Sequence, residues 1–408
     1  MKPKYKENPA DTAAGKWMDE QLELAPRRRL ADRALLVSLA LIIVVFGVLV
    51  FALPSDDFSE EENRALASFP ELTLESLISG EFTAGISDFY ADRFPGRNVF
   101  VGVKAFFEKL MLKQENNGII EAEDGYIIER LEYTDYEYEN IDENLKAINK
   151  FMAAMEREGI DTVFAVAPRS VDVMTSKLPA LYDTVRVDAV WEKVFSSCPH
   201  ALTFTDELES AANNGEYVWY KTDHHYTTLG AYYAYVALSE TLGYTPYSIE
   251  YFVQESVSED FLGTTYSSSG MKWSDKDTMI YFRFEGDERF TVSYPQSSYE
   301  ALNGFYDRSY LTVKDKYSSF LGGNHSRTSV SLDGEERPTL MLIKDSFSHA
   351  LAPFLALHFD LELVDLRYYT SSVTKLVNEI DPDKILVIYG IDTLASSTES
   401  KIIAMGVK

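Results

Sequence analysis

Hydrophobic and polar positions follow three different patterns along this chain. Residues 34–53 form a run of 20 residues without a charge, which as a helix spans ~30 Å, the thickness of a bilayer's hydrocarbon core. Leu145, Ile148, Met152 and Met155 instead recur at the spacing of one helix face. Several short, partly β-branched apolar runs are typical of buried parallel strands. The pattern therefore predicts one membrane span followed by an α/β domain.

The helical and strand patterns alternate through most of the chain after residue 120. A strong turn dipeptide, Asp124-Gly125, predicts a hairpin over residues 121–129. The predicted strands that follow are 162–167, 201–204, 217–220, 339–343, 361–364 and 385–389. The predicted helices are 99–112, one along the face from 145 to 155, and 191–195, 228–242, 350–357 and 373–380. This order is typical of a parallel sheet covered by helices.

Residues 245–337 break the alternation. The segment is rich in Ser, Thr, Tyr and Gly, and residues 279–284 and 290–294 alternate like two strands of a hairpin around residues 285–287. We interpret the segment as a β-rich insertion over the site, not as a separate domain. Its aromatic and hydroxyl side chains suit sugar contacts, and they equally suit an ordinary antiparallel sheet.

The flanking charges predict the orientation of the apolar run. Basic residues cluster before it and acidic residues follow it, so residues 1–33 are expected to form a cytoplasmic tail and residues 54–408 to lie outside the cell. An uncleaved anchor over 34–53 is favoured over a signal peptide, because the run is long and residues 51–55 make a poor cleavage site. Residues 54–118 are expected to be a juxtamembrane region with an entry helix, and residues 119–408 the extracytoplasmic domain.

The charge balance limits the partners of the outer domain. Residues 1–53 carry 8 Lys and Arg against 6 Asp and Glu, whereas residues 54–408 carry 30 against 59. Such an acidic domain should repel nucleic acid and anionic lipid, and an uncharged glycan, or a polymer met at high ionic strength, suits it better. Cys198 is the only cysteine, so no internal disulfide is possible, and we interpret it as a small buried hydrophobe.

The sequence Asp223-His224-His225 is the strongest candidate for chemistry. An Asp-x-His pair lets a carboxylate hold an imidazole by Nδ1–H while Nε2 faces a substrate. Ser346 follows an apolar strand and is the best candidate nucleophile. The pair lies between the predicted strand 217–220 and the helix after it, where α/β active sites gather. The same residues also fit a helix N-cap and ordinary surface polar groups.

Other residues are weaker candidates. Those that could act as base, contact substrate, stabilise an oxyanion or only form turns and caps are Arg169, His224, Tyr226, Gly323, Asn324, His349 and Arg367. Of these, His349 is expected at the surface. Adjacent histidines on a strand point to opposite faces and seldom bind one ion, and no cysteine pair supports a metal site, so neither a metal nor another cofactor is predicted.

Several motifs together resemble a known family. Asp223 to Tyr226 is similar to the signature of the DHHW family, which is related to SGNH-like alginate O-acetylation proteins. The resemblance continues through residues 59–64, 92–97, 344–347 and 364–368. Two positions depart from the pattern: Tyr226 stands where the name-giving Trp would be, and Lys344 stands where a Gly-Asp-Ser hydrolase carries glycine.

The resemblance implies a fold and a function. It implies an SGNH hydrolase-like three-layer α/β/α sandwich with a β-rich insertion, preceded by one transmembrane helix. It also implies a membrane-anchored O-acyl transferase or esterase, for acetyl groups, that acts on a cell-surface or secreted polysaccharide. Ser346, His225 and Asp223 would form its triad, and a multi-pass membrane O-acyltransferase would supply the acyl group. The departures at Tyr226 and Lys344 leave open a non-catalytic glycan-binding or assembly protein.

Overall fold

The structure of the protein is a computed structural model that describes residues 13–53, 57–59, 64–130, 135–180, 182 and 185–407. The chain divides into two compact units, one formed by residues 1–59 and 64–100 and the other by residues 60–63 and 101–408. The first residues of the basic tail and most of the 59–64 motif lie outside the described residues.

Helices and strands alternate through the second unit, and strands are sparse in the first. The described helices are α1 (Ala13–Ala52), α2 (Leu74–Ser79), α3 (Glu81–Asp92), α4 (Arg97–Leu110), α5 (Asp135–Arg157), α6 (Ser170–Val173), α7 (Val185–Ser197), α8 (Thr205–Asn213), α9 (Thr228–Leu242), α10 (Thr264–Ser269), α11 (Ser348–Leu355), α12 (Val373–Ile380) and α13 (Ile391–Ser396). The described strands are β1 (Phe58–Ser59), β2 (Arg64–Ala65), β3 (Glu115–Asn116), β4 (Ile119–Glu121), β5 (Ile127–Glu129), β6 (Asp161–Ala167), β7 (Val253–Phe261), β8 (Asp277–Arg283), β9 (Phe290–Ser293), β10 (Leu302–Asn303), β11 (Arg327–Leu332), β12 (Thr339–Lys344), β13 (Asp360–Val364) and β14 (Lys384–Gly390).

The first unit contains the predicted apolar helix. Within α1, Leu30–Ala52 is long and apolar enough to cross a membrane by length and composition, and its side chains stay largely exposed. The predicted turn at residues 92–97 separates α3 from α4, where Gly96 adopts a φ of 73° that favours glycine. The entry helix predicted over 99–112 is α4, which begins and ends two residues earlier.

A seven-stranded sheet organises the second unit. Its strand order is β10-β9-β11-β13-β12-β14-β6, and β13, β12, β14 and β6 run parallel to one another. The strands at the other end, β10, β9 and β11, pair antiparallel with their neighbours. The parallel strands are apolar on both faces, as expected for a sheet that is covered on both sides.

Helices cover both faces of this sheet. Along β12, Leu340 and Leu342 pack into the core beneath α9 and α11, whereas Met341 and Ile343 pack into the opposite core beneath α5 and α12. Successive side chains of a strand point to opposite faces, so one buried strand serves two cores. The predicted three-layer α/β/α sandwich is confirmed.

Several predicted elements match the structure closely. The helices α9 and α12 begin and end at the predicted residues, and β6, β12, β13 and β14 differ from prediction by one residue at most at each end. The hairpin predicted on Asp124-Gly125 is formed by β4 and β5. Both turn residues have positive φ, 57° and 80°. At these positions, the turn residues and the long apolar periodicity are therefore sufficient to predict the secondary structure from sequence.

Two predicted strands are wrong. Residues 201–204 form a single bridge between Leu202 and Ala165, and residues 217–220 form one between Trp219 and Tyr226. Both segments are apolar because they are buried, but they have no long partner with which to build a ladder. The Asp-His-His turn therefore lies between the two residues of an isolated bridge, and α9 begins just after it.

The predicted hairpin within 245–337 is also wrong. The strands exist as β8 and β9, but β8 pairs with β7, and β9 pairs with β10 and β11 in the main sheet. Alternation identifies the strands, but it carries no information on which strands pair. The segment is thus only partly an insertion, since it supplies three strands of the main sheet.

Candidate active site

The buried carboxylate of Asp277, on β8, stabilises the turn that carries the Asp-His-His sequence. Asp277 accepts hydrogen bonds from the backbone N–H groups of Lys221 and Thr222, each at 2.8 Å, and from the Tyr217 hydroxyl. Burial raises the pKa of Asp277 although these bonds act to lower it. The Thr222 hydroxyl also donates to Asp277, so four donors from one short segment converge on this side chain and hold the turn in place.

Asp223 holds the imidazole of His225, which lies in the same turn. Its Oδ1 lies 2.6 Å from His225 Nδ1 and accepts the His225 backbone N–H at 3.0 Å. Its Oδ2 accepts the backbone N–H of Thr264 at 2.8 Å and the Thr264 hydroxyl at 3.1 Å. Gly263 makes this approach possible, because a Cβ there would lie 2.2 Å from Asp223 Oδ2. Since a carboxylate only accepts, His225 carries its proton on Nδ1.

The other ring nitrogen of His225 faces Ser346. The distance from His225 Nε2 to Ser346 Oγ is 2.8 Å. Ser346 lies two residues beyond β12 and two before α11, whose N-cap residue is Phe347, so the serine hydroxyl is not a helix cap. Asp345 holds this second turn by accepting the backbone N–H groups of Phe347 at 3.1 Å and Gly390 at 2.7 Å.

Aromatic rings enclose the histidine. Tyr317 stacks on His225 with ring centroids 3.8 Å apart and an interplanar angle of 8°, and its hydroxyl donates to the Ser346 carbonyl at 3.3 Å. Tyr226 is fully buried, and its hydroxyl donates to the Phe347 carbonyl at 2.6 Å. Tyr226 thus ties the Asp-His-His turn to the turn at residues 345–347, which we call the serine turn, and it does not face solvent.

The surroundings favour a neutral imidazole and a charged carboxylate. Burial, together with the nearby His224, lowers the pKa of His225 to about 4, although Asp223 acts in the opposite direction. Burial acts to raise the pKa of Asp223, but His224, His225 and the hydrogen bonds outweigh it and hold this pKa well below its usual range. At neutral pH the pair is a neutral base beside a fixed negative charge.

A second polar cluster is buried behind the serine. Lys344 Nζ lies 2.8 Å from His349 Nε2 and 3.2 Å from Asp365 Oδ2. Arg367 donates to both oxygens of Asp365, at 2.9 Å and 2.6 Å, and to Asn324 Oδ1 at 3.2 Å. Burial lowers the pKa of Lys344 and lowers that of His349 well below its usual range. His349 is 2% exposed, so its predicted surface position is wrong.

Two further candidates are engaged in local structure. The backbone N–H of Gly323 donates to the Phe320 carbonyl at 3.2 Å. Gly323 therefore forms an ordinary turn, the alternative to an oxyanion role. Arg169 is the N-cap residue of α6, and its guanidinium pairs with both oxygens of Asp172 at 2.8 Å. Arg169 is 3% exposed, whereas Arg367 and Asn324 reach the surface.

Asp223, His224 and His225 are also the kinds of residue that bind metals. One ligand atom from each lies within 4.8 Å of the others. However, Asp223 Oδ1 and both ring nitrogens of His225 already make hydrogen bonds within the protein, and His224 Nδ1 lies 2.5 Å from Thr264 Oγ1. A metal ion would have to displace these bonds, so the arrangement fits proton transfer better than metal binding.

Sequence reasoning missed the residues that support the Asp-x-His pair. Gly263, Thr264, Asp277 and Tyr317 all lie in the segment that the sequence predicts only to cover the site. Each acts through a contact at least 40 positions away in the chain, except that Tyr317 also contacts Ser346. A single sequence carries no local signal for contacts of this kind. The glycine before Thr264 is the available hint, because glycine often marks close backbone approach.

Comparison with known proteins agrees with this architecture. A search of curated proteins gives no match. A DHHW family protein from Eubacterium siraeum is 20% identical with a TM-score of 0.58, covering 71% of this chain and 95% of its own. Bacillus cereus PatB1, determined with a sulfonyl adduct, is 17% identical with a TM-score of 0.56, covering 70% and 99%. These likenesses show the SGNH-like fold.

The family assignment rests on sequence. The model of the DHHW protein family matches residues 122–364, which is more than half of the chain. The match spans the Asp-His-His turn, the segment that supports it and the serine turn. The chain belongs to the DHHW family.

Proposed function

We propose that this protein is a membrane-anchored O-acyl transferase or esterase that acts outside the cytoplasm on a cell-surface or secreted polysaccharide. The acyl group is proposed to be acetyl. One observation carries the proposal: Asp223, His225 and Ser346 form a continuous relay, with 2.6 Å from carboxylate to Nδ1 and 2.8 Å from Nε2 to the hydroxyl. Nucleophile, base and orienting group at these distances are the geometry of covalent acyl transfer.

The relay supports a two-step reaction. Ser346 Oγ attacks the acyl carbonyl carbon as His225 Nε2 takes the hydroxyl proton, and Asp223 stabilises the resulting imidazolium. The tetrahedral intermediate collapses, and His225 returns the proton to the leaving oxygen, so that the acyl group remains on Ser346. A sugar hydroxyl then attacks this ester and gives its proton to His225. The bond between Ser346 Oγ and the acyl carbon breaks, Ser346 Oγ takes the proton from His225, and the sugar leaves acylated. Water in the same position would complete ester hydrolysis.

The electrostatics support the same assignment. A base must be unprotonated to act, and burial lowers the pKa of His225 to about 4, so it is neutral at neutral pH. The first turn of α11 begins two residues after Ser346, and the positive end of a helix dipole favours negative charge that develops near it.

Relatives and composition support the reaction and the substrate class. The structure of Bacillus cereus PatB1 carries a sulfonyl adduct. Sulfonyl reagents react with activated nucleophiles, so we propose that Ser346 is activated in the same way. An acidic outer domain repels anionic polymers, which favours an uncharged glycan. The apolar helix α1 would anchor the domain, with residues 1–33 in the cytoplasm. A multi-pass membrane acyltransferase is proposed as the acyl donor.

The decisive experiment measures turnover of an activated acetyl ester by the full-length chain in detergent. Ser346→Ala and His225→Ala should each lower the rate to background, and the double variant should be no worse, because such groups act as a unit. Ser348→Ala is the matched control: its buried hydroxyl has no hydrogen-bond partner among the described residues, and its loss should leave the rate unchanged.

Two further measurements separate the alternatives. A sulfonyl fluoride should add its mass to the peptide that contains Ser346 in the wild type and not in His225→Ala. A glycan acceptor should then receive acetyl groups. If Ser346→Ala retains the wild-type rate, or if the wild type binds glycan but never turns over ester, the protein is a glycan-binding member of the family and the proposal is wrong.

The proposed topology has its own test. A periplasmic or cell-surface reporter fused after residue 60 should be active only outside the cytoplasm, and the product should keep its N-terminus. Recovery of a soluble form that begins near residue 55 would show that a signal peptidase removes the apolar helix.

A further inference from the structure

The helix α4 presents its apolar side to solvent. The large side chains on that side are exposed: Val103 by 46%, Phe106 by 52%, Phe107 by 58%, Leu110 by 61% and Met111, just past the helix, by 71%. Their spacing of three, four and seven residues places them on one face of the helix. An apolar face this continuous is uncommon on a soluble protein and marks an interaction site.

The opposite side of α4 packs on the domain and, apart from the half-buried Val101, carries small or polar residues. Ala105 is 1% exposed, and a Cβ at Gly102 would lie 3.1 Å from the Lys272 side chain. Lys109 Nζ lies 4.5 Å from the centre of the Trp273 ring and pairs with a glutamate of β4. Close packing on small residues fixes which side faces inward, so the helix cannot simply turn its apolar side toward the core.

The usual amphipathic arrangement is therefore reversed. A helix on a water-soluble domain turns its apolar side inward, because removing that surface from water supplies most of its stabilisation. The reversed arrangement is stable only where the outer side also leaves water. The medium outside α4 must then be apolar.

We propose that the exposed side of α4 lies in the interface of the lipid bilayer. The same chain contains Leu30–Ala52, a helix fit to cross a bilayer, and only residues 53–96 separate it from α4, so lipid is close at hand. The charge pattern agrees, because residues 97–113 carry four Lys and Arg against one Glu in a strongly acidic domain. A locally basic, one-sided apolar helix is typical of a segment that lies on a membrane surface.

A single fluorescent label on α4 tests this in the full-length chain. Cys198, the only cysteine, is 6% exposed and can be replaced by serine, which leaves Phe106→Cys as the labelled position. The labelled protein is reconstituted in vesicles of phosphatidylcholine alone and of phosphatidylcholine with phosphatidylglycerol. Lys146→Cys on α5, an exposed polar position, carries the same label as a control.

The expected result is a blue-shifted emission at position 106 in both vesicle types, with strong quenching by lipids that carry a doxyl group near the headgroup. A helix in the interface sits ~5–10 Å below it, so doxyl groups near the chain end should quench less. The label at 146 should respond to neither. If Cys198→Ser fails to fold, the measurement is repeated with Cys198 retained, since its buried thiol reacts slowly.

The opposite result overturns the proposal. If the label at 106 reports water in vesicles that contain only this protein and lipid, the apolar side of α4 does not meet the bilayer. Its occupant would then be a protein partner. Because ester turnover by Ser346 is measured in detergent, loss of the bilayer contact and loss of catalysis would be distinguished.

Discussion

Two turns meet at the candidate active site, and they are built in different ways. The serine turn continues β12, a central parallel strand, and its bonds come from the neighbouring β14 and the helix that follows. The Asp-His-His turn has no strand of its own. It is held by side chains and backbone from β8, from α10 and from the segment around Tyr317. The sheet positions Ser346, whereas a polar and aromatic cluster positions His225.

This difference has an energetic consequence. A change at the Asp-His-His turn should alter the position of the His225 imidazole and thus the activity, while the sheet and its two cores remain intact. A change beneath the serine turn removes a partner from a buried charge, which acts first on stability.

The largest effect is expected from Gly263→Ala. The new methyl group would overlap the Asp223 carboxylate at 2.2–2.6 Å, so Asp223 has to move away from His225. Loss of that orienting group typically lowers kcat by about 10⁴-fold, and Gly263→Ala should approach Asp223→Asn in size. Gly102→Ala is the control, because its methyl group would approach the flexible Lys272 side chain at 3.1 Å and backbone no closer than 4.0 Å, an ordinary contact distance. Near-normal turnover by Gly263→Ala would contradict the described fit.

Lys344→Met should act on stability. It leaves His349 Nε2 buried without this partner and leaves Asp365 with the Arg367 guanidinium, and the loss of one partner from a buried polar group costs about 1–3 kcal/mol. Lys384→Met on β14 removes a partly exposed pair with Asp161 and should cost about 1 kcal/mol or less. The measurement is urea unfolding of the full-length chain in detergent. Equal costs for the two variants would show that the buried pair adds nothing.

Two variants of Tyr317 distinguish ring stacking on His225 from the hydrogen bond of the Tyr317 hydroxyl. Tyr317→Leu removes the ring that lies 3.8 Å from His225, and loss of an aromatic pair worth about 1 kcal/mol should lower kcat roughly fivefold. Tyr317→Phe keeps the ring and loses only the long bond to the Ser346 carbonyl, so it should stay near the wild-type rate. Were both variants to fall equally, the hydroxyl and not the ring would support the base.

The smallest effect concerns pH. Burial holds the pKa of His225 at about 4, below its ordinary 6.5, and His224 contributes to the lowering. Protonated His225 cannot act as a base, so kcat/KM should fall as the pH drops through this pKa. His224→Asn removes the contribution of the neighbouring ring and should move this limb to higher pH. His200→Asn, at an exposed position away from the site, is the control. A limb that stays in place or moves to lower pH would contradict the assignment.

Much of this protein could be predicted from its sequence. The uncharged span, the periodic helices α5, α9 and α12 and the parallel strands each follow from local patterns that burial imposes. The candidate site residues can be found because Asp-x-His brings two groups into one turn and because a serine after an apolar strand lies at a sheet edge. Such features need only neighbouring residues to be recognised.

Tertiary structure alone decided the rest. Which strands pair, that Gly263 admits Asp223, that Tyr317 stacks on His225 and that His349 is buried beside Lys344 all depend on contacts between distant segments. The reversed face of α4 is another such fact, because an amphipathic pattern shows that a helix has two faces but not which of them packs on the domain. Local sequence limits what each segment can form, whereas packing between segments selects one arrangement among several.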